Sequence, residues 1–310
     1  DDWDTLLLGV EAPGGGPANP RGEEGMFNRA LTLEGRVVRG LVVRDLHFVH
    51  HYRAIEILPE WATPDGECGN RTRVDGAARG VTIVRNRFTD NTLGVTLLGR
   101  VHGATVRANV FERHAIFGAV VEGRSVDCPL AGGGAVELAL ATPRRTVFRH
   151  NRSIGSGGLG ATFTERTTIV DNRIRGAIVG ILAGGDRNAA FRRNTITDGD
   201  IGFALFADES TMRIRRNVID VSLVGISALG HADAVRVVGN TIDGGLWGLQ
   251  VGAEASGYHA IENHYGEHLI VDVELGVGSS GNSVVNNDGL PITVSDQGID
   301  NRVEGNIVPF

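Results

Sequence analysis

Residues 189–194, Ala189-Ala190-Phe191-Arg192-Arg193-Asn194, return 23 positions later as Met212-Arg213-Ile214-Arg215-Arg216-Asn217, and again as Val235-Arg236-Val237-Val238-Gly239-Asn240. Each is a short alternating run closed by asparagine. Working outward, similar runs end at Asn172, Asn151, Asn109 and Asn86 on one side, and at Asn263, Asn286 and Asn306 on the other. From Asn151 onward the steps are 21, 22, 23, 23, 23, 23 and 20 residues, and Asp45 reads as the first member of the series. Two positions after the asparagine an apolar residue usually follows: Phe88, Phe111, Ile174, Ile196, Ile219, Ile242. A polar turn comes next, and then a second run such as Gly94-Val95-Thr96-Leu97-Leu98 or Val179-Gly180-Ile181-Leu182-Ala183.

This period does not suit helical repeats. The runs are short, β-branched and bounded by Gly, Asp and Asn, which marks strands and turns. Twenty-odd residues supply three strands and three turns, one coil of a β-solenoid whose equal positions stack about 4.8 Å apart. Asparagine suits the recurring corner because it tolerates the left-handed backbone region and because its amide can bond to the asparagines above and below. A single coil leaves its apolar side chains open, so only the stack makes a core.

Composition agrees. The chain holds 45 Gly and only 9 Pro, and no uninterrupted apolar run is long enough to span a membrane. Net charge is −7 with a pI near 5.8, and the basic residues are scattered, unlike the basic patch of a nucleic-acid binder. All 30 basic residues are Arg; without Lys, no amine side chain can serve as Schiff-base nucleophile or general base. The chain opens Asp1-Asp2-Trp3-Asp4 with no initiator Met, so the sequence is expected to be processed, trimmed or cut from something longer.

The pattern N-x-[FI]…G-[VI]-x-L…V-x-x-N resembles the parallel β-helix repeats of the pectate-lyase-like superfamily, from about residue 30 to the C-terminus. The resemblance implies an all-β, right-handed parallel β-helix of about 11 coils with an Asn ladder. Residues 30–310 form the domain, and residues 1–29 an N-terminal segment, cap or remnant. Relatives include polysaccharide lyases, mannuronan epimerases and glycoside hydrolases, so the resemblance implies a carbohydrate-active protein. It implies fold more strongly than function, because core and turn residues carry it.

The repeat breaks twice. The step from Asp45 to Asn86 is 41 residues and that from Asn109 to Asn151 is 42. The extra residues fall at one corner, at 58–80 and 123–145, on either side of the short corner Gly99-Arg100-Val101-His102-Gly103. Long loops flanking a short one make a cleft, and in the superfamily such loops commonly wall the substrate groove. The only two cysteines, Cys68 and Cys128, lie one in each loop, two coils or about 10 Å apart. They are expected to form a disulfide, which fits an oxidising compartment and a secreted or periplasmic protein; two free thiols are the alternative. No spacing suited to zinc is present. Asp65, Glu67 and Asp127 could hold Ca²⁺, and no other cofactor is implied.

Titratable groups gather in the first coils. Register sets Arg29–Glu34 beneath Arg53–Leu58, so Thr32 and Glu56 share an outward column, continued by Thr96, Val120, Thr162, Leu182, Ala204, Ser227 and Gln250. At the preceding corner His50, Asp90 and His114 align. His51, Tyr52, Arg53, Glu56 and His114 are the candidate acid–base groups. Arg29, Glu34, Asp90, Thr96, His102 and Glu122 are the candidate substrate contacts. Glu34 and Glu56, about 7–8 Å apart as diagonal neighbours, suit two carboxylates with a water between. The function expected is that of a monomer acting on a polysaccharide by lyase, epimerase or hydrolase chemistry. A β-helix that binds glycan or handles a metal through its His line is the alternative, or a structural module of a larger surface protein.

Overall fold

The computed structural model describes residues 29–34, 37–58, 60–62, 73–123, 125–129, 135–139, 142–155, 157–206, 210–289 and 292–306. Among them every regular element is a strand, and all pairings are parallel except in two hairpins. Each coil passes through three faces. The first is an eleven-stranded parallel sheet running from Val42–Arg44 to Arg302–Glu304. The second begins with His47–Val49, Arg87–Thr89 and Val110–Glu112. The third begins with Arg29–Glu34, Arg53–Leu58, Leu93–Leu98 and Phe117–Glu122. The chain is the solenoid that its period implies.

Alternation sends one side chain per short strand inward. Val43, Ile83, Val106, Phe148, Ile169 and Phe191 stack under the first face, and Ile55, Val95, Ala119, Leu159 and Ile181 under the third, nearly all without solvent contact. Under the second face Phe48, Phe88 and Phe111 stack in parallel, with centroids 5.0 and 4.9 Å apart. The glycine that opens each second run has a packing cause. A Cβ on Gly118 would stand 2.9 Å from Phe111 Cβ, and one on Gly94 2.9 Å from the same ring. The motif therefore pairs a large second-face residue with a glycine that makes room for it.

At the corner between the first two faces the asparagines form a buried ladder. Asn86 Nδ2 donates to Asn109 Oδ1 at 3.1 Å, and the relay continues through Asn151, Asn172, Asn194, Asn217, Asn240 and Asn263. Each Oδ1 also accepts the backbone N–H of the preceding asparagine, as Asn109 does from Asn86 at 2.9 Å. Two sequence expectations are corrected here. The left-handed residue is the one before the ladder position: Asp45, which precedes Leu46, and Arg85, Ala108, His150, Asp171, Arg193, Arg216 and Glu262, which precede asparagines, all have φ between 52 and 59°. Asp45 therefore precedes the ladder, and Leu46 N–H donates to Asn86 Oδ1 at 3.1 Å. Near the C-terminus the ladder runs Asn263–Asn287–Asn306, and Asn286, with φ 53°, is the turn residue.

The two insertions share a corner. The first contains the antiparallel hairpin Glu60–Ala62/Arg73–Asp75, and the second Ser125–Pro129/Ala135–Ala139. They follow the third-face strands Arg53–Leu58 and Phe117–Glu122, which flank Leu93–Leu98 in register. Residues 1–28, Asp65, Glu67 and Cys68 lie outside the described residues, as do the side chains of Glu34, Asp127 and Cys128. The expected disulfide, the calcium loop and the Glu34–Glu56 carboxylate pair fall there.

Candidate functional site

The third face begins with a buried ionic cluster. Glu56 pairs in register with Thr32 and Thr96 and is 0% exposed. Its Oε2 lies 2.9 Å from Arg29 Nε, and its Oε1 accepts from Arg53 Nη1. The Arg53 guanidinium also sits 5.4 Å from the centroid of the Tyr52 ring. Outward positions should face solvent, yet Leu98 is 1% exposed while Phe206 and Leu229, in the same register column, are 52% and 42% exposed. The face is covered beside the hairpins and open beyond them. Glu56 and Thr96, over which the groove was expected, are both buried.

The expected column of outward residues needs one correction: Val120 pairs with Gly160, and Thr162 pairs with Glu122. The line His50–Asp90–His114 also shifts. His47 and Val110 both pair with Arg87, which sets His50 and Asp90 level with Arg113, and His51 level with Asn91 and His114. Asp90 holds Arg113 by two bonds of 2.7 Å, which keeps its carboxyl below the usual range. His51 N–H donates to Asn91 Oδ1 at 2.8 Å, and Asn91 N–H lies 3.2 Å from His114 Nδ1. His114 is buried edge-on to Phe111, and burial depresses its pKa to about 4. The strand Arg53–Leu58 separates this corner from the hairpins by about 20 Å, so His51, Tyr52 and His114 stand at the far margin of the third face.

His102 lies on the other side of the hairpins. From the third face the chain returns along a short flank in which Arg39, Arg79 and His102 pair, and a line of bridges continues from His102 through Arg144 and Glu165 to Arg187. Arg79, His102, Arg144, Arg145, Glu165 and Arg166 line an open cleft of about 470 Å³. Four guanidinium groups meet one carboxylate there. Glu165 takes Arg144 at 2.9 Å and Arg166 at 3.6 Å, and Arg79 and Arg145 have no ion pair among the described residues. Burial, followed by the charges of Arg144, Arg79 and Arg100, holds the His102 pKa below its ordinary 6.5. His102 is therefore a neutral imidazole set among cations. Sequence reading marked His102 but missed the arginines. The signal was the arginine shortly after each hairpin, Arg79 and Arg144, which needs the hairpin ends to be known. Glu122, half-buried at the hairpin base, pairs in register with Leu98 and Thr162.

Among the described residues no three His, Cys, Asp or Glu side chains gather as a metal site, and no helix is long and apolar enough to cross a membrane. The family described as "Right handed beta helix region" matches residues 127–264. The chain is a right-handed parallel β-helix. Similar solved structures include a variant of the periplasmic alginate epimerase AlgG, at TM-score 0.61 and 12% identity over 92% of this chain and 78% of that one. The catalytic unit of a GH87 alpha-1,3-glucanase from Streptomyces thermodiastaticus matches at 0.59 and 11%, over 91% of this chain and 62% of that one. The tailspike protein of E. coli bacteriophage HK620, solved with a pentasaccharide, matches at 0.57 and 10%, over 91% of this chain and 59% of that one. At such identities the likeness is one of fold. No curated protein matches the sequence of this β-helix.

Proposed function

We propose that this β-helix acts on an acidic polysaccharide bound by its carboxylates in the Arg79–His102–Arg144 cleft, with His102 as the base. A carbohydrate-active role in general is supported by solved relatives that include an alginate epimerase, a glucanase and a tailspike bound to a pentasaccharide. The observation that carries the finer reading is a neutral-held imidazole among guanidinium groups in an open cleft. Removing the proton beside a uronate carboxylate needs a neutral base at working pH and cations to hold the enolate as it forms. Arginine forks bind carboxylates in pairs of parallel bonds, and Arg79 and Arg145 are available for that. His102 takes the proton, and the electron pair of the broken C–H bond moves onto the carboxylate. It then either expels the glycosidic oxygen, which takes a proton from water and leaves a double bond, or recaptures a proton from water on the opposite face. Hydrolysis commonly uses two flanking carboxylates, whereas Glu165 is the only carboxylate among the described residues that line the cleft. Such a polymer lies outside the cytoplasm, so the reading goes with a periplasmic or secreted protein.

The test incubates the protein with alginate, polygalacturonate and hyaluronate in D₂O. Ultraviolet absorbance reports unsaturated ends, and deuterium in the sugar reports proton exchange. Wild type should give one signal on at least one polymer, and His102→Gln should abolish it while still binding. Silence in both assays on polymers that bind would sink the catalytic reading.

A further inference from the structure

Beyond the cleft, the same corner carries two exposed phenyl rings. Phe163 stands two residues before Glu165 and is 58% exposed; Phe206, two coils along the axis from it, is 52% exposed. Between their coils runs Gly184-Gly185. A Cβ on Gly185 would collide with the Phe163 ring, and one on Gly184 would stand 3.1 Å from Phe206 Cβ. The Phe163 ring therefore lies on half-buried Gly185, beside the buried Gly184.

Two further observations set Phe163 apart. Its φ is 52°, in the left-handed region that costs a bulky residue free energy. The other non-glycine residues described with positive φ are Asp, Glu, Asn, Arg, His and Ala, so a large apolar side chain is held there against local preference. The following residue is anchored: buried Asp186 accepts Thr164 N–H at 2.9 Å and the Thr164 hydroxyl at 2.6 Å, and it accepts Gly184 N–H at 3.3 Å. One carboxylate thus ties the base of the phenyl to Gly184.

We infer that Phe163 and Phe206 form a sugar-stacking subsite that receives pyranose rings of the chain leaving the cationic cleft, so that the polymer runs parallel to the solenoid axis. The apolar face of a pyranose lies on an aromatic ring. The separation of two coils, about 10 Å, is comparable with a disaccharide. Continuity with the cleft favours a sugar: Phe163 and Glu165 share a turn, so an occupant of one reaches the other. This subsite rests on the acidic-polysaccharide reading for its ligand, but not for its geometry.

The test measures dissociation constants for oligomannuronates and oligogalacturonates of graded length. Wild-type affinity should rise with length. Phe163→Ala and Phe206→Ala should each weaken long oligomers roughly three- to tenfold and leave short ones unchanged. Arg144→Gln should weaken every length and reduce the dependence on salt. Both phenyl variants remove exposed side chains, and unchanged melting would confirm their folding. Equal losses at all lengths, or no loss, would overturn the subsite. If no oligouronate binds wild type, the acidic-substrate reading fails by itself. The subsite is then judged by NMR of phenylalanine-labelled protein titrated with neutral cello-oligosaccharides. Shifts of the Phe163 and Phe206 ring signals would uphold it, and their absence would remove it.

Discussion

His114 stands one coil along from Asn91, with its ring nitrogen 3.2 Å from the Asn91 backbone nitrogen, in the place that the Asn91 amide takes against His51. The corner between the second and third faces thus has a short polar ladder of its own, His51–Asn91–His114, beside Phe48, Phe88 and Phe111. The arrangement recurs near the C-terminus, where His268 meets Tyr265 edge-on at 6.1 Å, as His114 meets Phe111 at 5.9 Å.

This placement makes acid sensitivity a property of His114. Burial lowers its pKa from 6.5 to about 4, so the folded state favours the neutral ring. The stability this supplies is complete above about pH 6.5 and is lost as pH falls through about 4. His114→Asn would continue the amide ladder with a group that does not titrate. Thermal melting between these limits should show the variant losing less stability on acidification than wild type, and parallel curves would refute the assignment.

Asp186 should behave in the opposite sense. Burial raises its pKa from 3.8 to about 7, against the bonds from Thr164 and Gly184. A raised acid stabilises the fold fully below the unfolded value, and that contribution disappears as pH climbs through about 7. As pH rises from about 4 to about 7, wild type should therefore lose stability relative to Asp186→Asn, read from melting temperatures of the two. A decline of the same size in the variant would place its origin elsewhere.

The Arg29–Glu56–Arg53 cluster makes a third prediction. Breaking a wholly buried ion pair costs roughly 3–5 kcal/mol, and less is expected here because Arg29 and Arg53 keep some exposure. Glu56→Gln should therefore lower stability measurably by denaturant titration. Removing the exposed partner in Asp45→Asn, which breaks two bonds to Arg85, should change little, because exposed pairs are screened by solvent. If Glu56→Gln melts like wild type while losing activity, the cluster belongs to the reaction rather than to the fold.

The solenoid was legible because its cause is local and repeated: the Phe111–Gly118 contact and the Asn109–Asn151 bond each recur as a spacing. The ladder position was less so. Asn286 and Asn287 are adjacent, and only backbone geometry tells the left-handed turn residue from the ladder member. Charge on the third face misled for another reason. Glu56 reads as outward and open, and it is outward, but it is buried and paired with Arg29 and Arg53. The cationic cleft was hidden because Arg79, His102 and Arg144 come into register only after two insertions of unequal length are closed into hairpins. Scattered arginines in the sequence become one column in space.

That column supplies the last prediction. Burial is the larger cause of the low His102 pKa, and the cations Arg144, Arg79 and Arg100 add to it. A base must be neutral to act, so the acid limb of kcat/KM should lie below the range of an exposed imidazole. Arg144→Gln removes one positive neighbour, which lets the imidazole hold its proton more tightly and moves the limb to higher pH. The move should be partial, since burial persists. NMR titration of the His102 ring without substrate reads the same change independently of turnover. An unmoved ring in Arg144→Gln would mean that the guanidinium does not act on the imidazole, and the proposed base would lose its tuning.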